Sequence, residues 1–245
     1  MLKKRIITVL TFLDGTLFRT KNFKADYRYT KNFIDLVKVD EIVLIDISEN
    51  KFQKSFLDIV DYYVKNCFVP LSIGGGISDM DKANLFFDKG ADKIVVSSIL
   101  YKNQKLLERI SKKYGRQSII VGLDCKKKIN DYSVICKSGT SNINKSPIEI
   151  AKKIYNIGCG EILINNIDND GSLLGYDLEL IKKISSNVNC PIIALGGAGN
   201  WQHLLDLFNI SNISGACTQN IFHFTDESIN SAKKFLQSHK IAIRE

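Results

Sequence analysis

Apolar residues fall along this chain in short, nearly unbroken runs. Examples are IITVL at 6–10, IVLI at 42–45, KIVV at 93–96, SIIVGL at 118–123 and EILI at 161–164. Runs of this length without polar alternation belong to strands buried on both faces. They predict strands at 5–10, 41–47, 70–73, 92–97, 118–123, 161–166, 191–195 and 213–218. Between them the apolar positions recur at helical spacing. This predicts helices near 27–37, 52–66, 79–89, 103–114, 147–157, 176–186, 200–209 and 226–238. Ser78-Asp79 and Ser146-Pro147 carry helix-start chemistry, and Gly90 and Gly158 close helices. Eight strand–helix units in 245 residues predict an α/β fold of the (β/α)8 TIM-barrel type. An open doubly wound sheet is the alternative.

The chain also resembles itself. RIITVLT at 5–11, EIVLIDIS at 41–48 and PLSIGGGI at 70–77 recur as SIIVGLD at 118–124, EILINNID at 161–168 and PIIALGGAG at 191–199, displaced by 113, 120 and 121 residues. Half-chain repetition implies two half-barrels in a single domain over 1–245. One insertion follows the fifth strand. Within it Tyr132–Lys137 alternates like an added strand or hairpin.

Composition narrows the class. Hydrophobic residues make up 44% of the chain, and no run approaches the roughly 18–20 apolar residues that cross a bilayer. The N-terminal KKR and its apolar run do not read as a secretory signal, because Asp14 follows at once and no small-residue cleavage site closes them. A cytoplasmic protein without a membrane partner is expected. Net charge is +8, from 34 Lys+Arg against 26 Asp+Glu. The excess is either a solvated lysine-rich surface or a positive field that draws anionic, phosphorylated substrates. The basic residues are scattered and lack aromatic interleaving, so no nucleic-acid partner is expected. The six cysteines form no CxxC pair and the three histidines form no HxH or HExxH. No metal and no cofactor is predicted.

In such a barrel, chemistry belongs to the C-terminal ends of the strands and the loops that follow. Glycines at 74–76 and 196–197 end strands in both halves. They either permit tight turns or let backbone N–H groups approach a phosphate at a helix N-terminus. Gly75, Gly76, Gly196 and Gly197 are therefore phosphate-site candidates. Ser97, Ser98, Gln219 and Asn220 on neighbouring strand ends are possible side-chain donors, and Gly171 of the IDNDGS loop joins the set. Asp124, at the end of the fifth strand, is a candidate general acid or base, or else caps a loop or pairs with Lys126. Cys125 should face away from it. Asp46 and Asp170 are further acids on the same rim, with Asp170-Gly171 also readable as turn chemistry.

The segments IVLIDIS, IGGGI, GADKIVVSS, GCGEILINNIDNDGSLLGYDLELI, PIIALGGAG and IFHF, in this order, resemble the HisF family, the cyclase subunits of imidazole glycerol phosphate synthase. The resemblance spans nearly the whole chain. It implies a HisH-like glutaminase partner, ammonia passing through the barrel, a doubly phosphorylated substrate, and two catalytic aspartates on the first and fifth strands. Asp124 matches the second. Thr11 stands in place of the first, and Asp14 belongs to the following loop. A hydroxyl cannot shuttle protons near neutral pH as a carboxylate does.

Other positions at that end depart as well. The family's residues after the fourth strand are Ser97 and Ser98, its Thr-Ser pair is Asn165-Asn166, its serine before the seventh-strand glycines is Leu195, and its loop lysine is Arg19 with no glycine at 20. Thr218, Gln219 and Asn220 replace small residues. At the opposite end nothing is rewritten. Arg5, Glu41, Lys93 and Glu161 match the family's salt-bridged ammonia gate, and Asp92 matches its glutaminase interface. The bland reading of those four is that they pin the strand starts. Three functions are open on this reading. The preferred one is ammonia supply to amidation of a bacterial surface sugar, alongside an ATP-dependent amidotransferase. A working histidine-pathway cyclase and a non-catalytic activator of the glutaminase are the others.

Overall fold

The computed structural model describes residues 3–29, 39–98, 103–129, 131–136, 139–219 and 228–244. The strands are β1 (Arg5–Leu13), β2 (Thr16–Lys21), β3 (Lys24–Arg28), β4 (Glu41–Asp46), β5 (Leu71–Gly74), β6 (Lys93–Val96), β7 (Ile119–Lys127), β8 (Tyr132–Cys136), β9 (Ser141–Asn142), β10 (Glu161–Asn166), β11 (Ile192–Leu195) and β12 (Ile213–Thr218). The helices are α1 (Lys54–Asn66), α2 (Met80–Asp88), α3 (Gln104–Tyr114), α4 (Pro147–Ile157), α5 (Leu178–Ser185), α6 (Trp201–Phe208) and α7 (Ser228–Ser238). β1, β4, β5, β6, β7, β10, β11 and β12 pair in parallel with their neighbours, and β12 closes on β1. This is the closed eight-stranded barrel expected from the runs.

Each barrel strand sends alternate residues to two different cores. Ile7, Val9, Val43, Val95, Ile120, Leu163, Ile193 and Cys217 form the apolar interior of the barrel. Residues of opposite parity, such as Ile6, Leu10, Ile42, Leu44, Ile94 and Cys125, pack outward in the larger layer under the helices. Burial on both sides explains why the sequence reads as unbroken apolar runs. The helices begin where a short polar side chain can accept the first free N–H groups. Asp79, Asn103, Ser146, Asp177 and Asn200 accept from Lys82, Leu106, Ile148, Leu180 and His203.

One difference from expectation lies above the barrel. The helix placed at 27–37 is not there at its start: Tyr27 and Arg28 end β3, and 30–38 lie outside the described residues. Instead β1 continues past the barrel and is turned back antiparallel by β2, which pairs with β3. The β2–β3 turn carries no glycine. Asn22 and Phe23 adopt φ of 50° and 66°, a conformation that a phenylalanine seldom takes. The added strand on the fifth-strand insertion is β8, antiparallel to β7 with Asp124 opposite Ile135. All five of its residues are buried, so its sequence alternation does not mark an exposed face. β1 and β7 are each nine residues long and each carries an antiparallel strand, so the half-chain repetition is visible in the fold.

Candidate functional site

At the strand starts, Arg5, Glu41, Lys93 and Glu161 project into the barrel and meet. Arg5 donates to Glu41 at 2.6 Å and to Glu161 at 2.7 Å. Lys93 reaches Glu161 at 2.5 Å and Glu41 at 3.2 Å. Each cation therefore bonds both anions, and the four close a ring across the barrel floor. Arg5 also donates to Ser214 Oγ at 2.9 Å. Burial penalises both charged partners. For Glu161, hydrogen bonds from Arg5 and Lys93 and their charges outweigh that penalty and leave its carboxyl below the usual range. Arg5 is pushed up for the same reason, against its own burial. Asp92 lies beside Lys93. Its carboxylate accepts the Leu71 N–H at 2.8 Å while its own N–H donates to the Leu71 carbonyl at 2.9 Å. Asp92 thus braces the start of β5 from the end of the barrel where the ring lies.

At the other end, alternation brings Thr11, Ser97, Asp124, Asn165 and Gln219 to the inner wall of the mouth. Ser97 Oγ donates to Asp124 at 3.2 Å. Burial raises the Asp124 carboxyl to about 7, the Ser97 bond opposes the rise, and the negative charge of Asp170 adds to it. This is a proton-exchanging group near neutral pH. The β7–β10 register sets Asn165 directly beside Asp124. The Oδ1 of Asn165 is buried without a hydrogen-bond partner, an acceptor left open next to the acid. Cys125, next in sequence, points to the outer layer as expected, and burial pushes its thiol up.

Thr11 faces a different environment. Its hydroxyl donates to the Phe18 carbonyl on β2, and Gln219 Nε2 donates to the same carbonyl at 2.6 Å and to Thr11 Oγ1 at 3.5 Å. The inner face at the end of β1 is thus a neutral Thr–Gln–carbonyl cluster. Asp170 is held by the hairpin: Thr20 Oγ1 donates to it at 3.1 Å and the Phe23 N–H at 2.9 Å. Burial nevertheless leaves its carboxyl raised. Next to it Gly171 has φ of 71°, and a Cβ there would lie within 3.0 Å of Lys21 Cα and closer still to the Thr20 carbonyl. The hairpin therefore seats directly on this loop. Arg19 faces outward to Asp26.

Gly75, Gly76, Gly196 and Gly197 all have positive φ, from 72° at Gly76 to 122° at Gly75. A Cβ on Gly75 would meet Asp46 at 2.7 Å, and one on Gly196 would meet Asn165 Oδ1 at 2.7 Å. Gly76 lies under the Lys51 stem and Gly197 against the Gly175 carbonyl. Close loop packing requires glycine at these positions in its own right. Ser97 and Ser98 follow the end of β6, with Ser97 turned to Asp124, whereas Asn220 lies outside the described residues. Sequence reasoning passed over Lys51. Its ammonium donates to the Asp46 carbonyl at 2.8 Å, and burial lowers its pKa. It is the one basic residue between β4 and α1, and that position was its available signal.

A closed (β/α)8 barrel with a floor of paired charges and a polar mouth built around one titrating acid defines the class. A family model described as "Histidine biosynthesis protein" matches residues 8–228. The chain is 37% identical over 251 aligned residues to the imidazole glycerol phosphate synthase subunit HisF of Chlorobium limicola, and 38% identical over 251 to that of Prosthecochloris aestuarii, with 100% of each chain covered in both cases. The corresponding subunit of Pelodictyon phaeoclathratiforme is 37% identical over 250, again at full coverage. The chain belongs to the HisF family as a diverged member. No helix among the described residues is long and apolar enough to cross a membrane.

Proposed function

We propose that this barrel receives ammonia from a glutaminase docked at the ring and uses or delivers it at the opposite mouth for amidation of a phosphorylated acceptor, in the service of a bacterial surface sugar. The observation that carries the reading is the contrast at position 11. The four-charge floor is complete, while the first acid of the cyclase pair is replaced by Thr11 tied to Gln219 and the Phe18 carbonyl. In this reading Arg5, Glu41, Lys93 and Glu161 gate the entry, Asp92 lies at the partner interface, and the apolar interior favours neutral ammonia over ammonium. Asp124 moves the proton that the acceptor chemistry requires. Gly75, Gly76, Ser97, Ser98, Gly171, Gly196, Gly197, Gln219 and Asn220 serve the acceptor's phosphates.

A second reading is a working cyclase of histidine biosynthesis. It is favoured by full-length identity to the synthase subunits and by Asp124, whose carboxyl near 7 suits acid–base work alone. The ammonia-dependent cyclase assay separates the two, with the purified chain, the ribulosyl aminoimidazole carboxamide nucleotide and ammonium salt at alkaline pH. The surface-sugar reading predicts turnover orders of magnitude below the metabolic range, because one of two cooperating groups is absent. Turnover of roughly 1 per second or more overturns it in favour of the cyclase.

A further inference from the structure

Cys159 and Cys190 are both buried free thiols, and their sulfurs lie 3.8 Å apart. They are 31 positions apart in sequence and meet because β10 and β11 are neighbours. The register sets Ile162 beside Ile192, so the turn into β10 runs beside the turn into β11. Both turns are fastened. The Ile162 N–H donates to the Pro191 carbonyl at 3.0 Å, and the Gly160 N–H donates to the Ile119 carbonyl at 3.0 Å.

The two thiols are not equivalent. The hydrogen bond between them holds the Cys159 proton and, with burial, pushes that thiol up. The same bond, with the charge of Arg116, pulls Cys190 below the ordinary thiol value against its burial and the charge of Glu161. Arg116 is held in place, its Nε donating to the Cys159 carbonyl at 3.2 Å and its Nη2 to the Tyr155 carbonyl at 3.0 Å. As a thiol, Cys190 also donates to the Gly160 carbonyl at 3.6 Å. Burial pushes Cys67, Cys125 and Cys217 the other way. Asn189 and Pro191, on either side of Cys190, are exposed, so the pair lies one residue beneath the surface. A thiol activated beside a cation, with a second thiol in contact, is the arrangement of an attacking and a resolving cysteine.

We propose that Cys190 and Cys159 form an oxidation-sensitive pair that closes to an intrachain disulfide under peroxide and reopens with a dithiol reductant. The Cys190 thiolate attacks one oxygen of hydrogen peroxide, the O–O bond breaks and hydroxide leaves. The sulfur is oxidised to a sulfenic acid as the peroxide is reduced. The Cys159 thiol then attacks that sulfur. The S–S bond forms, the S–O bond breaks, and water leaves with the Cys159 proton. A disulfide bond of about 2.0 Å asks the two sulfurs to close by roughly 1.8 Å, within the reach of side-chain rotation. Cys159 stands just before Glu161, so the bridge fastens two strand starts on one side of the charged floor. In a reducing compartment such a bond is a transient state of the chain rather than a structural brace.

The test treats the folded full-length chain with hydrogen peroxide, blocks the remaining thiols with iodoacetamide in denaturant, and maps linked peptides by mass spectrometry before and after dithiothreitol. The expected product is a peptide joining Cys159 to Cys190, lighter by two hydrogens and cleaved by dithiothreitol. It should form roughly tenfold or more faster than Cys67 is oxidised. In Cys159→Ser the sulfenic acid on Cys190 should persist and be trapped by dimedone, and in Cys190→Ser neither product should form. The wild-type map requires no variant, so it decides the matter even where a serine variant folds poorly. Oxidised chain in which Cys159 and Cys190 both carry the iodoacetamide label overturns the proposal. So does Cys190 driven to sulfinic acid with Cys159 still free, which shows that the two do not pair. A linkage that forms only when peroxide is added to urea-unfolded chain overturns it as well.

Discussion

At the strand starts, two cations and two anions satisfy each other around a closed circuit. At the strand ends, no cation among the described residues pairs with Asp124 or Asp170. Asp124 has a serine hydroxyl, and Asp170 has a threonine hydroxyl and a backbone N–H. Both carboxyls sit above their ordinary range, whereas Glu161 sits below it. Burial acts on all three in the same direction, so the difference is made by the partners. The floor is electrostatically complete as it stands. The mouth keeps an unpaired acceptor, Asn165 Oδ1, beside an acid whose carboxyl is raised to about 7.

The contrast can be broken most forcefully at the floor. Glu161→Ala leaves Arg5 and Lys93 sharing one carboxylate in a buried site, and should cost about 3 kcal/mol in urea unfolding. The same variant, or Lys93→Ala, should uncouple glutamine hydrolysis from product formation in the assembled complex, and unchanged coupling would remove the gate reading. Because the Glu161 carboxyl lies below its reference of 4.5, its contribution is present above that pH and is lost as pH falls through the folded value. Wild type should therefore lose its advantage over Glu161→Ala only in acid.

Gly171→Ala is next. A methyl group there meets the Thr20 carbonyl in a left-handed backbone, and a loss of about 2 kcal/mol is expected, together with faster proteolysis within 16–28. Asp124→Asn sharpens the comparison through its opposite sign. The folded carboxyl titrates near 7 against a reference of 3.8, so native stability is full in acid and falls as pH rises toward 7. The variant should match wild type at pH 4 and exceed it at pH 8 by on the order of 1–2 kcal/mol, the carboxyl being partly open to the mouth.

The smallest effect is expected at Thr11→Val, at most about 1 kcal/mol, because Gln219 still satisfies the Phe18 carbonyl. Thr11→Asp should raise any residual cyclase turnover, with Gln219 Nε2 available to the new carboxylate. Unchanged turnover would show that the missing acid is not what limits the chemistry.

The eight barrel strands were legible because burial on both faces writes a dense apolar signal, and the helix starts because Asp79 and Ser146 announce themselves chemically. The β2–β3 hairpin was not legible, since its turn is Asn22-Phe23 rather than a glycine pair, and Tyr27 and Arg28, which end β3, were read as the start of a helix. The residue types at the mouth were readable, but their pairing was not. Thr11 and Gln219 are 208 positions apart and meet only because β12 closes on β1. The ring was read from resemblance alone. That each of its cations serves both anions follows from closure, which no local pattern encodes. The open acceptor on Asn165 is a property of what surrounds it, and that is likewise absent from its own sequence neighbourhood.

The seating of Gly171 against Thr20 also constrains how this protein can change over generations. With no room for a methyl group between them, the hairpin at 16–28 and the loop at 168–175 share a seam on which neither side can drift alone. A lineage adapting this mouth to a new acceptor must alter both together or neither. Substitutions in the two segments should then accumulate in matched pairs, while the outward helices vary freely.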